Sequence, residues 1–228
     1  MKTALLRRVT AELVGSAALA AIVVGSGIAA QRLSPTDAGL QLLENAVATA
    51  LGLSVLIMLF APLSGAHFNP VVSLVESGSG LRSWRDTAFY IPAQVIGCIL
   101  GAILANVLFG DAAVSVSSTE RLTPPHFLSE IVATAGLIMV IFVLARTGRS
   151  GLTAAAVGAY IGTAYFFTSS TSFANPAITI GRMFSDTFAG IAPSSAPGFV
   201  AAQLIGGALG FALVRWFYPD RRIIPNAK

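Results

Sequence analysis

Two stretches decide how this chain is read: HFNPVVSL at residues 67–74 and FANPAITI at residues 173–180. Each sets Asn directly before Pro and follows the pair with a short apolar run, VVSLV after Pro70 and AITIGRMF after Pro176. Asn is a favoured helix N-cap, and Pro at the first helical position gives up no hydrogen bond that the helix needs, so each pair starts a helix. Neither run approaches the roughly 20 apolar residues that a membrane-spanning helix requires. The pattern predicts re-entrant half-helices that enter a bilayer and stop. Either pair alone would be an ordinary helix start. Two at matching places in a duplicated chain carry more weight.

The duplication is visible in two further pairs of segments. AELVGSAALA at 11–20 matches SEIVATAGLI at 129–138, and QVIGCILGAIL at 94–104 matches QLIGGALGFAL at 203–213. Between them lie FNPVVSL at 68–74 and ANPAITI at 174–180, in the same order. Glu12 and Glu130 are 118 residues apart, the Asn-Pro pairs 106, and Gln94 and Gln203 109, differences that loops absorb. The repeats run over about 1–110 and 115–228, within a single domain of 1–228.

Composition places both repeats in a membrane. Only 11% of the residues are charged and mean hydropathy is +0.78, whereas a soluble domain carries about a quarter charged residues. Apolar spans fall at about 9–30, 38–60, 87–109, 127–146, 152–168 and 197–218, the fifth of them short. The first imitates a secretory signal, with Lys2, Arg7 and Arg8 ahead of an apolar run ending in Ala29 and Ala30. Glu12 interrupts that run and the same pattern returns at the fourth span, so it is read as a span. Six spans put both termini on one side. Lys2, Arg7, Arg8, Arg82, Arg85, Arg146, Arg149, Arg215, Arg221, Arg222 and Lys228 share that side, which the positive-inside rule makes cytoplasmic. Arg32, Arg121 and Arg182 fall on the other.

Each half contributes three spans, an odd number, so the second half enters the membrane upside down relative to the first. Inversion brings the two Asn-Pro helices in from opposite faces to meet near the midplane. Their unpaired N–H groups and positive dipole ends then face a shared cavity. Irregular backbone at that depth is tolerated only where protein or water surrounds it. The expected fold is an all-α membrane protein of six transmembrane helices plus two re-entrant half-helices in an inverted repeat.

With HFNPVVSL, FANPAITI, the AEL and SEI segments and the repeated Gln-containing segments in place, the chain resembles the aquaporin or major intrinsic protein family over nearly its whole length. The resemblance implies one pore per subunit and a homotetramer in the lipid bilayer. It makes Asn69 and Asn175 pore asparagines that orient a passing solute oxygen, in motifs completed by Pro70, Val71, Pro176 and Ala177. Opposed half-helix dipoles would disfavour cations and interrupt a proton-conducting water chain. Glu12 and Glu130 become structural supports that accept hydrogen bonds from the half-helix loops, although an intramembrane carboxylate is in general a candidate proton relay. His67 matches a family histidine near the cytoplasmic mouth, where protonation could gate. Gln94 and Gln203, with Gly97, Gly101, Gly206, Gly207 and Gly210 after them, mark close helix packing.

Departures from the family pattern bear on the solute. Most relatives carry Arg directly after the second Asn-Pro-Ala, and here that position is Ile178, with Arg182 one turn later. The second-span filter position reads as Leu51, and Ser172 is small and polar. The fifth-span position lies among Thr163, Phe166 and Phe167, with Phe167 included in the expected filter. Leu51, Ser172 and Ile178 predict a wider, less cationic filter than a strict water channel has. TSFANPA and SDTFAGI are similar to a bacterial branch associated with arsenic resistance gene clusters. Arsenous acid is an uncharged triol-like molecule that a glycerol-type pore accepts. The alternative weight lies with Ile178 as a packing residue, leaving Arg182 to act. Val71 stands where Ala is usual.

The leading functional expectation is a passive channel for glycerol-like polyols, arsenite or related metalloid acids, and water, in a bacterial inner membrane. A water-selective channel is the nearest alternative, and an inverted-repeat secondary transporter the alternative of another class. A closed structural or junction protein is a third. No catalytic grouping, phosphate loop or Cys/His metal spacing occurs, which predicts neither enzyme activity, cofactor nor metal. No basic arm suggests nucleic acid. Cys98 is the only cysteine, so no internal disulfide can form.

Overall fold

The computed structural model describes residues Lys2–Pro219, so Arg221, Arg222 and Lys228 lie outside the described residues. The described residues run through eight α-helices: α1 (Lys2–Leu33), α2 (Ala38–Ser64), α3 (Pro70–Gly78), α4 (Trp84–Leu108), α5 (Pro124–Arg146), α6 (Thr153–Phe167), α7 (Pro176–Gly181) and α8 (Ala196–Phe217). A 3-10 turn at Ser150–Leu152 leads into α6, and another at Arg182–Phe184 extends α7. Local chemistry sets the boundaries. Asp37, Ser83 and Thr123 cap α2, α4 and α5 with side-chain oxygens, and Gly65 ends α2 in the left-handed conformation that glycine adopts without cost.

Among the described residues five helices, α1, α2, α4, α5 and α8, are long and apolar enough to cross a membrane. The other span, α6, has 15 residues and rises only about 22 Å, short of a hydrocarbon core of about 30 Å. The short fifth span expected from sequence is thus a short helix. Contacts at the helix ends fix the directions. Arg8 at the start of α1 pairs with Asp86 at the start of α4 at 2.9 Å. At their far ends Arg32 donates to the Phe109 carbonyl at 2.8 Å. In the second half the backbone N–H of Arg121, just before α5, donates to Ser195 Oγ just before α8, and Arg146 reaches the Tyr218 carbonyl at their far ends. Three crossings per half leave the halves inverted.

Glycine seams hold each half together. On α4, a Cβ at Gly97 or Gly101 would lie 2.4 Å from the Leu13 carbonyl oxygen or 2.1 Å from that of Ala17 on α1. On α8, a Cβ at Gly206 or Gly210 would lie 2.5 Å from the carbonyl oxygens of Ile131 and Ala135 on α5. Only hydrogen fits in these crossings, the small-residue packing expected where lipid supplies no hydrophobic drive. Outward faces carry apolar side chains such as Val55, Leu59, Leu100, Leu104 and Leu209, all exposed.

Candidate functional site

The site is assembled from the segments that lead into α3 and α7. Both use residues with positive φ: Ala66 and Phe68 before α3, and Thr171, Ser172 and Ala174 before α7. Such φ values cost L-residues roughly 1–2 kcal/mol each and persist only where surroundings over-determine them. Here a buried glutamate does so in each half, and both are 0% exposed. Glu12 accepts from the Ser64 hydroxyl at 2.6 Å, the N–H groups of His67 and Phe68 at 3.0 and 2.7 Å, and Gln94 Nε2 at 2.8 Å. Glu130 accepts from the Ser170 hydroxyl at 2.6 Å, the N–H groups of Phe173 and Ala174 at 2.9 and 2.8 Å, and Gln203 Nε2 at 2.7 Å. Each glutamine also donates to a half-helix hydroxyl at 2.9 Å, Gln94 to Ser73 and Gln203 to Thr179. An acceptor group surrounded by four donors leaves its loop a single conformation.

The half-helix tips then touch. Asn69 caps α3 by accepting from the Val71 N–H at 3.0 Å, and Asn175 caps α7 by accepting from Ala177 and Ile178 at 2.9 and 3.3 Å. Each amide donates across the junction, Asn69 Nδ2 to the Ala174 carbonyl and Asn175 Nδ2 to the Phe68 carbonyl, both at 2.8 Å. An amide nitrogen has two hydrogens. The second on each Asn has no protein partner among the described residues, and both asparagines line one cavity.

That cavity, about 330 Å³, extends from His67 and Glu76 at one end, past the asparagines, to Tyr165, Phe173 and Arg182 at the other. Its wall, mostly aliphatic, comes from side chains one helical turn apart: Leu19 and Val23 on α1, Thr49, Leu53 and Ile57 on α2, Leu137 and Ile141 on α5, and Val157, Ile161 and Tyr165 on α6. Ser172 and Ile178 line it near the Arg182 end. Thr49 Oγ1 and the Tyr165 hydroxyl lie 3.1 Å apart and link α2 to α6.

Several expected filter positions lie elsewhere. Leu51 is 65% exposed and absent from the cavity wall, where Thr49 and Leu53 stand instead. Two residues along a helix is a rotation of about 200°, so Leu51 faces away from the wall that its neighbours form. Phe167 is 51% exposed, packed edge-on with Tyr160, and Thr163 and Phe166 are also exposed. On α6 the wall carries Tyr165 instead, four residues after Ile161 and eight after Val157. Val71 also leaves the wall. A Cβ built on Gly207 would lie 2.3 Å from Val71 Cγ1, so Val71 fills the space opened by a glycine on α8. Pro70, Pro176 and Ala177 are buried.

The two ends differ in charge. At one, Glu76 pairs with Arg82 and with His67 Nε2 at 2.9 Å, and His67 Nδ1 lies 2.9 Å from Ser73 Oγ. Arg82 also donates to the Tyr90 hydroxyl and the Ser64 carbonyl, both at 2.9 Å. At the other end Arg182 does reach the cavity and is 3% exposed. Its guanidinium lies 3.5 Å from the centre of the Phe173 ring and its Nε donates to the Ala189 carbonyl. Arg121 approaches the same ring at 5.6 Å and donates to the carbonyls of Gly190 and Phe188. Burial pushes the Arg121 guanidinium down from its ordinary value.

Two inverted half-helices meeting beside a cavity that runs from one mouth toward the other define a membrane channel-like fold. The sequence profile of the family described as Major intrinsic protein matches residues 1–173. The chain is 48% identical over 221 residues to "Aquaglyceroporin AqpS" of Rhizobium meliloti (strain 1021), covering 96% of this chain and 94% of that protein. It is 29% identical to "Glycerol uptake facilitator protein" of Pseudomonas aeruginosa, over 88% of this chain and 84% of that one. The X-ray structure of the aquaglyceroporin from Plasmodium falciparum shares the fold at a TM-score of 0.69 and 22% identity, over 95% of this chain and 96% of that chain. The chain belongs to the major intrinsic protein family, a family of non-catalytic membrane channels.

Proposed function

We propose that the chain is a passive channel for small uncharged solutes: glycerol-like polyols, arsenite or related metalloid acids, and water. The observation that carries this reading is a cavity lined both by aliphatic side chains and by Asn69 and Asn175, whose amide nitrogens each keep one hydrogen unpaired among the described residues. A polyol sliding along such a wall keeps its carbon edge against Leu19, Val23, Leu53 and Ile57 and its oxygens against the amides. Ile178, where most relatives carry Arg, favours solutes larger than water. Similarity to a protein named an aquaglyceroporin supports the same solute class. Water selectivity is the second reading, favoured by Tyr165 and Arg182 on the wall of the Arg182 end.

The functional unit is proposed to be a homotetramer in a bacterial inner membrane with both termini cytoplasmic. The charge distribution supports the orientation: Arg8, Arg82, Arg146 and Arg149 share an end, with Arg32, Arg121 and Arg182 opposite. Stopped-flow swelling of proteoliposomes under glycerol, arsenite and water gradients, with electrical recording, tests the assignment. The expected result is non-saturating flux of all three with no current. Water flux alone would replace this reading with a water channel, and saturable pH-coupled flux with a transporter.

A further inference from the structure

The inverted repeat makes the two mouths comparable residue by residue, and the comparison exposes an unmatched charge. At the 106-residue offset of the Asn-Pro pairs, Glu76 corresponds to Arg182 and His67 to Phe173. Glu76 is neutralised by Arg82 beside it. Arg182 has no such partner. Its Nε is held by the Ala189 carbonyl, and among the described residues no hydrogen bond within the protein uses its Nη1 or Nη2. Arg121, on the other flank of Phe173, is likewise held only by carbonyls, those of Phe188 and Gly190.

Among the described residues no carboxylate at this end forms an ion pair with Arg182 or Arg121. Asp37 caps α2, Glu44 takes the Ser34 hydroxyl, Asp111 pairs with Arg32, Glu120 takes the hydroxyls of Ser194 and Ser195, and Asp186 takes the N–H and hydroxyl of Ser118. Glu130 is filled by its four donors. A second unmet group lies on the same cavity wall: the Ser172 hydroxyl is buried and has no hydrogen-bond partner among the described residues. A guanidinium held by a neutral acceptor at Nε, with its terminal nitrogens open to the cavity, is shaped for two oxygens of one anion.

We propose that Arg182, backed by Arg121 and Ser172, forms a binding site for a small free oxyanion in the mouth of the passage, and that its occupancy obstructs neutral-solute flux. The ligand class is a small oxyanion that offers two oxygens to one guanidinium. Arg182 lines the cavity and not the lipid-facing surface, so the anion comes from solution. The obstruction rests on the channel reading, whereas the binding site does not.

Inorganic phosphate is the probe, with a bulky sulfonate buffer of equal ionic strength as the control. Phosphate should raise the unfolding midpoint of the detergent-purified protein by about 2–4 °C, since a ligand that binds only the folded state stabilises it. The sulfonate should not. Arg182→Gln should abolish the shift, and Arg182→Lys, which keeps the charge but loses the fork, should weaken apparent affinity about tenfold. In vesicles, phosphate should lower glycerol permeability of the parent, with the Arg182→Lys variant needing about ten times more for the same effect. Stabilisation that is equal in parent and Arg182→Gln, or equal with the sulfonate, makes the ion adventitious and overturns the site. Should Arg182→Gln fail to fold, a parental affinity in Arg182→Lys overturns it equally. An Arg182-dependent shift without glycerol permeability in any condition would keep the site and remove the channel reading. Glycerol flux without any phosphate shift would do the reverse.

Discussion

The loop before α3 and the loop before α7 share no more than scattered identities, yet their hydrogen bonds to Glu12 and Glu130 agree donor by donor, with no matched pair differing by more than 0.1 Å. The residues around those nodes diverge freely. Val71 and Val75 in the first half meet Gly207, whereas Gly181, the counterpart of Val75, meets Cys98 on α4, which is placed four residues after Gln94 as Gly207 is after Gln203. Bulk has moved from one helix to its neighbour. The mouths diverge further, with Glu76 and His67 in one and Arg182 and Phe173 in the other. The difference teaches that what the fold needs is the carboxylate node, and what the two ends do is written on positions that the node does not touch.

The most damaging test of that equivalence is removal of a node. Glu12→Ala and Glu130→Ala each orphan four buried donors and should cost about 3–5 kcal/mol, seen as a large loss of folded yield and a fall in the unfolding midpoint. Unequal losses would break the comparison. Next, Gly207→Ala forces a methyl against Val71 Cγ1 and should cost about 1–3 kcal/mol. Adding Val71→Ala should recover most of it, a coupling that a double-mutant cycle of unfolding midpoints measures. Ile178→Arg sharpens the difference between the ends. It should depress glycerol and arsenite uptake about tenfold, equivalent to roughly 1.4 kcal/mol, while sparing water. Equal change in all three permeabilities would sink the role given to Ile178. The smallest effect belongs to Leu51→Phe, which should change stability by less than about 0.5 kcal/mol and leave flux alone, whereas Leu53→Phe should slow glycerol.

Much of the fold was legible because its signals are pairs. Six apolar spans, two glutamates, two Asn-Pro pairs and two Gln-Gly segments in one order give the inverted halves without any single motif being decisive. The lining was less legible. Leu51 and Phe167 each stand two positions from a wall residue, Leu51 from both Thr49 and Leu53 and Phe167 from Tyr165, and helical rotation turns that small slip into the opposite face. In apolar spans both faces carry similar residues, so hydrophobic periodicity does not separate pore from lipid. Arg182 was open in the sequence, and the 106-residue offset that aligns it with Glu76 was the signal available for it. Val71 could not be placed before Gly207 was seen beside it, because that packing joins residues from different halves.

The central claim is that solute passes between the halves beside Ile178, on the side of α2 away from Leu51. Glycerol swelling measured before and after a small charged thiol reagent, in Ile178→Cys and Leu51→Cys variants, tests it directly, with buried Cys98 of the parent as the control. The account predicts block of the Ile178→Cys variant alone. Block of the Leu51→Cys variant, with the Ile178→Cys variant unaffected, would contradict it.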